Sequence, residues 1–241
     1  MAKVGLLVVL AAPVWAAKTG ARPFAKVGER EAFMRVIEAY ANRDDVVQRV
    51  CCVLPDDLAT MQSKYAAHLA FQGVQVTAGG PDWFGAAERG LAKLKDEVEQ
   101  VWVHDGCCPA VPYTMLDALA GAVEKTGAAA PVLAAGGHLA KVSGSELGAS
   151  GETAGMHEVQ SPQAFDRKVL VEAYAKRAGS KALDDASLVR LAGGKVTTIA
   201  GSRYNVRADS EESVRLLSDA IKHLPRPKPK GPMNPFGEAE W

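Results

Sequence analysis

The chain has no excess of charge of either sign: lysine plus arginine and aspartate plus glutamate each number 28 in 241 residues. A balanced surface projects no broad field toward polyanions, which argues against nucleic-acid binding and leaves room only for a local phosphate site. No apolar run is long enough to cross a bilayer as a helix, so no membrane role is expected. Cysteine is scarce, four residues in two adjacent pairs, Cys51-Cys52 and Cys107-Cys108. Neighbouring cysteines do not close an ordinary loop with each other, and the pattern points to reduced thiols in a cytoplasmic protein. The chain also lacks the paired ligand spacing of a zinc centre: His104, Asp105, Cys107 and Cys108 cluster, but no second pair follows at a matching interval. A Cys–His nucleophile is disfavoured too, because residues this close on a strand point to different faces.

What is present is an alternation of strand and helix signals. Apolar, β-rich runs at Val4 to Leu10, Val46 to Leu54, Val74 to Thr77, Val101 to Val103 and Ala128 to Leu133 read as buried parallel strands. Helical spacing falls between and after them, at Glu29 to Ala41, Asp57 to Ala70, Trp83 to Glu97, Thr114 to Thr126, Asp166 to Ala178, Asp184 to Leu191 and Ser210 to His223. The last two open on Asp184 and Ser210, side chains that accept hydrogen bonds from free helix amides. Together these signals predict one α/β domain with a mainly parallel twisted sheet flanked by helices. Lys3 followed by Val4 to Ala12 also has the outline of a secretory signal peptide; the same run is what a central strand looks like, and that reading is preferred. The glycine-rich stretch 134–160 predicts a loop or a protruding hairpin, an arm on a globular domain of residues 1–223. The proline-rich segment 224–241 reads as an extended tail.

Three separated stretches carry the functional signal: Val103-His104-Asp105-Gly106-Cys107-Cys108-Pro109, Gln160-Ser161-Pro162-Gln163-Ala164-Phe165 and Gly201-Ser202-Arg203-Tyr204-Asn205-Val206-Arg207. In that order, after an N-terminal strand and loop, they resemble the 2-C-methyl-D-erythritol 4-phosphate cytidylyltransferases of isoprenoid precursor synthesis. The family motifs read Val-His-Asp-Ala-Ala-Arg-Pro, Gln-Thr-Pro-Gln-x-Phe and Gly-x-x-x-Asn-x-Lys-x-Thr. The resemblance covers roughly residues 4 to 220. It implies a single Rossmann-like, GT-A-like nucleotidyltransferase domain, a homodimer joined through the arm, CTP and a sugar-alcohol phosphate as substrates, and Mg2+ as cofactor.

Carried over position by position, the resemblance assigns nucleotide binding to Ala11, Ala12, Gly79, Gly80 and Asp105, with Asp105 also holding the metal. It assigns substrate binding to Cys108 and Asn205, and catalysis to Arg22 and Arg207, which stand at the family's two lysines. Arg22 takes that place if the loop has lost two residues, since it lies six positions before Gly28; an ungapped register puts Phe24 there instead. Several reactive letters differ. The family's glycine-rich phosphate loop is Ala11-Ala12-Pro13-Val14-Trp15-Ala16-Ala17, where proline supplies no amide hydrogen and the indole is expected to fill the space of a phosphate. The motif arginine is Cys108, two polar contacts are Ala134 and Ala135, a further arginine is Thr153, and a threonine is Ala208. Losing one electrostatic donor typically costs about a hundredfold to a thousandfold in rate. Three readings therefore stand: a divergent cytidylyltransferase, a non-catalytic paralogue acting as a dimeric binding protein, and a transferase or sugar-phosphate binder with a changed substrate.

Overall fold

A computed structural model describes residues 2–151 and 153–224; the expectation of an extended tail falls, beyond Leu224, outside the described residues. In chain order the strands are β1 (Val4–Val9), β2 (Val46–Val53), β3 (Val74–Ala78), β4 (Gln100–Asp105), β5 (Ala128–Ala134), β6 (Ala140–Ser143), β7 (Glu146–Ser150), β8 (His157–Val159), β9 (Gln163–Asp166) and β10 (Thr197–Ala200), with a further two-residue ladder between Lys26–Val27 and Arg30–Glu31. The main helices are α1 (Ala32–Glu38), α2 (residues 58–71), α3 (Trp83–Leu91), α4 (Tyr113–Thr126), α5 (Arg167–Ala175), α6 (Asp185–Leu191) and α7 (Glu211–His223).

The run Val4–Val9 is a strand and lies at the centre of the sheet. It is buried at every residue and pairs in parallel with β2 on one side and β4 on the other. The sheet order is β8-β5-β9-β4-β1-β2-β3, with β10 parallel to β5. Four of the five apolar runs form its parallel half, β4-β1-β2-β3, and the fifth, Ala128 to Leu133, is β5 in the other half. The other half is mixed: β9 is antiparallel to both β4 and β5. β8 and β9 are two pieces of one line, because His157 faces Ala134 and Phe165 faces Ala128 along the same antiparallel partner. The interruption at residues 160–162 contains a cis Ser161–Pro162 bond.

Alternation along β1 divides the core. Leu7 and Val9 pack with Trp83, Ala87 and Leu188, whereas Leu6, Val8 and Leu10 pack with Phe33, Ile37 and Leu119 on the opposite face. A strand sandwiched between helical layers must be apolar on both sides, and this is why its sequence shows no polar alternation. Gly90 lets α3 lie close to the sheet, since a Cβ there would fall 2.2 Å from Cys52 Sγ.

Helix ends differ from the periodic signal in instructive ways. α3 stops at Leu91 rather than Glu97. The carbonyls just beyond it accept from side chains distant in sequence: Gln48 Nε2 donates to Lys93 O at 2.9 Å, and Arg167 donates to Lys95 O at 2.6 Å and Leu94 O at 3.2 Å. In α2 the middle, Met61–Tyr65, is a π-helical turn. α6 and α7 begin where their caps predict, with Asp184 and Ser210 each in a reciprocal capping box. The arm contains a hairpin, β6 and β7 joined through Gly144 at φ 60°, and both strands are exposed almost throughout.

Candidate functional site

Parallel strands deliver β1 and β4 to the same end of the sheet, and an open α/β sheet holds ligands outside these carboxyl ends. β4 ends on Asp105. The segment 205–208 is then stitched across it, with the Ala208 amide donating to Cys107 O at 2.7 Å and the Arg22 amide donating to Ala208 O at 3.1 Å. This stitching brings Arg207 onto Asp105. Arg207 Nε donates to Asp105 Oδ2 at 2.6 Å, and its Nη1 donates to the Gly20 carbonyl at 2.5 Å. The other carboxylate oxygen, Oδ1, accepts the Cys107 amide at 2.8 Å. Both side chains are buried, 7% and 4% exposed. Burial pushes the Asp105 carboxyl above its usual range despite the guanidinium's pull. Burial also opposes the charge on Arg207, but the carboxylate outweighs it and holds the cation.

Around this pair lies a cavity of about 640 Å³, within the size range of small-molecule sites. Trp15 and Trp83 line it together with Leu133, Val159 and Leu183, and its polar wall includes Asp105, Asn205 and Arg207. Asn205 Nδ2 donates to Ser161 O at 2.5 Å, and the Asp105 amide donates to Ser161 Oγ at 2.7 Å, so the second and third motifs are tied to the first. Two side-chain atoms of residues in this wall, Asn205 Oδ1 and Arg207 Nη2, are buried with no hydrogen-bond partner among the described residues. Arg203 lies at the exposed rim of the cavity, with no hydrogen bond or ion pair among the described residues.

Of the residues singled out in the sequence, Asp105, Cys108, Asn205 and Arg207 meet at the cavity. Ala11, Ala12, Arg22, Gly79 and Gly80 do not line it. Gly79 and Gly80 are packing glycines, since a Cβ on either would fall 2.4 Å from Arg89 Cβ or Gly85 Cα respectively. Arg22 contributes its main chain to the stitch and leaves its side chain exposed. The expectation that Trp15 fills the phosphate space is corrected: the indole is 51% exposed and forms a wall of an open cavity, its ring 5.8 Å from the Arg207 guanidinium carbon. The loop itself is not a cradle. Val14–Ala16 form a short 3-10 helix, and the amides of Ala16, Ala17, Thr19 and Gly20 are spent on the carbonyls of Pro13, Val14 and Ala16.

The motif histidine is structural. His104 Nδ1 is 2.8 Å from Tyr40 Oη and its Nε2 is 3.0 Å from Cys108 O; burial lowers its pKa to about 4. Burial pushes both Cys107 and Cys108 thiols up, so neither is a ready thiolate. Mg2+ at Asp105 is not matched by the donors present. One carboxylate oxygen is engaged by a cation and the other by an amide, so neither is free to take a metal in this arrangement.

Trp83 and Arg203 were missed as site residues in the sequence. Trp83 reads as the first residue of an amphipathic helix, and its indole N–H donates to the buried Asp185 Oδ2 at 2.8 Å, while Tyr174 Oη donates to Oδ1 at 2.6 Å. Burial raises the Asp185 pKa to about 6. Arg203 stands at a variable position of the third motif, and only the returning chain path sets it beside the arm, its guanidinium 3.9 Å from where a Gly136 Cβ would lie.

Comparison with known proteins agrees with this geometry. The family model described as IspD, 2-C-methyl-D-erythritol 4-phosphate cytidylyltransferase, matches residues 8–220. A bifunctional enzyme IspD/IspF of Rhodospirillum rubrum is 28% identical over 229 residues, covering 90% of this chain and 58% of that protein. A 2-C-methyl-D-erythritol 4-phosphate cytidylyltransferase of Geobacillus kaustophilus is 28% identical over 202 residues, covering 83% of this chain and 88% of its own length. The chain thus spans about half the length of the bifunctional relatives, 58% and 51% in two of them. The crystal structure of the cytidylyltransferase of Thermus thermophilus superposes with a TM-score of 0.75 over 92% of this chain and 100% of that one; at 24% identity this shows a shared fold. Enzymes of the family are generally dependent on divalent metal. No helix among the described residues is long and apolar enough to cross a membrane. With the match spanning β1 to α7 and the three motifs converging on one cavity, the chain belongs to the IspD, or 2-C-methyl-D-erythritol 4-phosphate cytidylyltransferase, family.

Proposed function

We propose that this chain keeps the family's cavity as a ligand-binding site and does not perform cytidylyl transfer. The observation that carries the reading is the 2.6 Å ion pair between Arg207 and Asp105. Transfer of a cytidylyl group brings an anionic phosphate oxygen to the α-phosphorus of a triphosphate, and the protein contributes by positioning the two and neutralising their charge. Here the cation at the second lysine position and the carboxylate at the metal position neutralise each other. The cation at the first lysine position, Arg22, is exposed outside the cavity. The loop that would cradle phosphates has proline in place of one amide and bonds the Ala16 and Ala17 amides within its own turn, and both oxygens of Asp105 are engaged. A cytidylyltransferase of this family would hold CTP, a sugar-alcohol phosphate and a metal here; the donors for all three are reduced together.

The globular unit of this reading is residues 1–223, with 134–160 as the arm segment, of which His157–Val159 return to the main sheet beside β5. A homodimer joined by the arm is part of the proposal. Its support is the row of apolar side chains that the arm exposes, Leu139, Val142, Leu147 and Met156.

The competing reading, a divergent cytidylyltransferase, draws on the retained Asp105 at the strand end and the retained Asn205. It requires Arg207 to leave Asp105 and turn to phosphate. Calorimetry with CTP and Mg2+, paired with a pyrophosphate-release assay on methylerythritol phosphate, separates the two. The expected result is no saturable CTP heat and no release above the protein-free rate. Release that is abolished by Arg207→Ala and Asp105→Ala would establish the competing reading.

A further inference from the structure

We propose that the cavity binds a small planar aromatic monoanion that also carries a hydroxyl group, with its anionic group paired to Arg203. The inference rests on the ligand-binding reading above and names the class of ligand for that site.

The walls supply the first term. Trp15, half-exposed, presents indole surface, and Leu133, Val159 and Leu183 with an edge of the largely buried Trp83 complete an apolar lining, a surface suited to an aromatic ring. The charges supply the second. Arg207 is cancelled by Asp105. The Asp184 carboxylate is committed to the Ser187 amide at 2.8 Å and to Gln163 Nε2 at 2.8 Å. Arg203 is left as a guanidinium on the cavity with no partner among the described residues. One free cation matches one negative charge. It does not match the multiple charges of a nucleoside triphosphate, which would also face the exposed Glu158 on the same cavity.

The third term is the pair of unpartnered atoms, Asn205 Oδ1 and Arg207 Nη2. They belong to side chains that are more than nine-tenths buried, with residue exposures of 6% and 7%, and both residues line the cavity. Leaving a buried donor and a buried acceptor unmatched is unfavourable, and such atoms are usually explained by a group that the protein alone does not provide. A hydroxyl both accepts and donates, which is the chemistry that a free guanidinium N–H and a free amide oxygen call for. Trp15, half-exposed on its loop, has its ring 5.8 Å from the Arg207 guanidinium and so stands between the apolar wall and this polar floor.

The test uses the full chain with 4-hydroxybenzoate, benzoate and 4-hydroxybenzyl alcohol as probes, read by calorimetry and by tryptophan fluorescence, alongside CTP with Mg2+. The expected order has 4-hydroxybenzoate at least tenfold tighter than either probe lacking one group. Arg203→Ala is expected to remove the preference for the anion over the alcohol, Arg203→Lys to restore part of it, and Arg22→Ala to leave it unchanged. Trp15→Phe is expected to remove most of the fluorescence response. Equal binding of the alcohol and the anion, no binding of any aromatic probe, or an unchanged preference in Arg203→Ala would overturn the proposal. Turnover of CTP would instead overturn the non-catalytic reading, and the two failures are read in separate channels.

Discussion

Arg207 Nε meets Asp105 Oδ2 at 2.6 Å across 102 residues of sequence, and both side chains are closed to solvent. Removing one member of a buried pair leaves the other charge without compensation, at a cost of about 3–5 kcal/mol. Arg207→Ala is therefore expected to lower the urea midpoint strongly, with the slope of the transition unchanged. The double variant Asp105→Asn with Arg207→Met removes both charges and is expected to lose less than Arg207→Ala alone. Equal losses in the two would mean that packing, not charge, dominates at this position.

Two buried groups give opposite pH dependences. His104 is held neutral to about pH 4 in the folded chain, below its unfolded value of about 6.5. The unfolded state therefore binds more protons as pH falls through that window, and stability drops. Asp185 has its folded pKa raised to about 6, so the folded state binds more protons between about pH 4 and about pH 6, and stability rises as pH falls. The two largely offset each other between pH 7 and pH 5. Asp185→Asn is expected to unmask the histidine, losing about 1 kcal/mol more than the parent over that interval in chemical denaturation.

The approach of α3 to the sheet depends on Gly90. A methyl group there would sit 2.2 Å from Cys52 Sγ and 3.2 Å from Leu7 Cδ2. Overpacking of this kind costs about 1–3 kcal/mol, partly offset by a helix-propensity gain of about 1 kcal/mol for alanine over glycine. Gly90→Ala is expected to be net destabilising, read as a lower thermal midpoint, whereas Gly121→Ala, on α4 with open space at that position, is expected to be stabilising.

The arm gives a prediction about assembly. Val142 and Leu147 face each other across the hairpin and are 67% and 75% exposed. Replacing both with aspartate is expected to convert a dimer into a monomer in sedimentation velocity, with the far-ultraviolet dichroism unchanged. A parent protein that sediments as a monomer would remove the arm from the proposed assembly.

Most of the parallel half of the sheet was legible in the chain, because a strand buried on both faces has to be a continuous apolar run, as Val4–Val9 is. The starts of α6 and α7 were legible for a local reason too: Asp184 and Ser210 bond to amides three residues away. The antiparallel strand β9 was not. Gln163–Asp166 is only four residues long and mixes polar with apolar side chains, so nothing local distinguishes it from a loop. β10 escaped for the same reason. The overlong reading of α3 arose because its periodic pattern continues past Leu91, while its end is set by Gln48 and Arg167 from other elements.

The same division holds at the site. The order of the three motifs determined the family and the placement of Asp105 at a strand end, and residues 11–17 determined the loss of the glycine cradle, since each of these is a matter of residue type at a fixed spacing. The tertiary structure decided the rest. It turned Arg207 from a free cation into the partner of Asp105, left Arg22, Gly79 and Gly80 away from the cavity, and opened the space that Trp15 was expected to fill. The physical reason is that spacing along the chain specifies which groups exist near a strand end, but charge is spent or kept according to which side chains the fold brings within hydrogen-bonding distance.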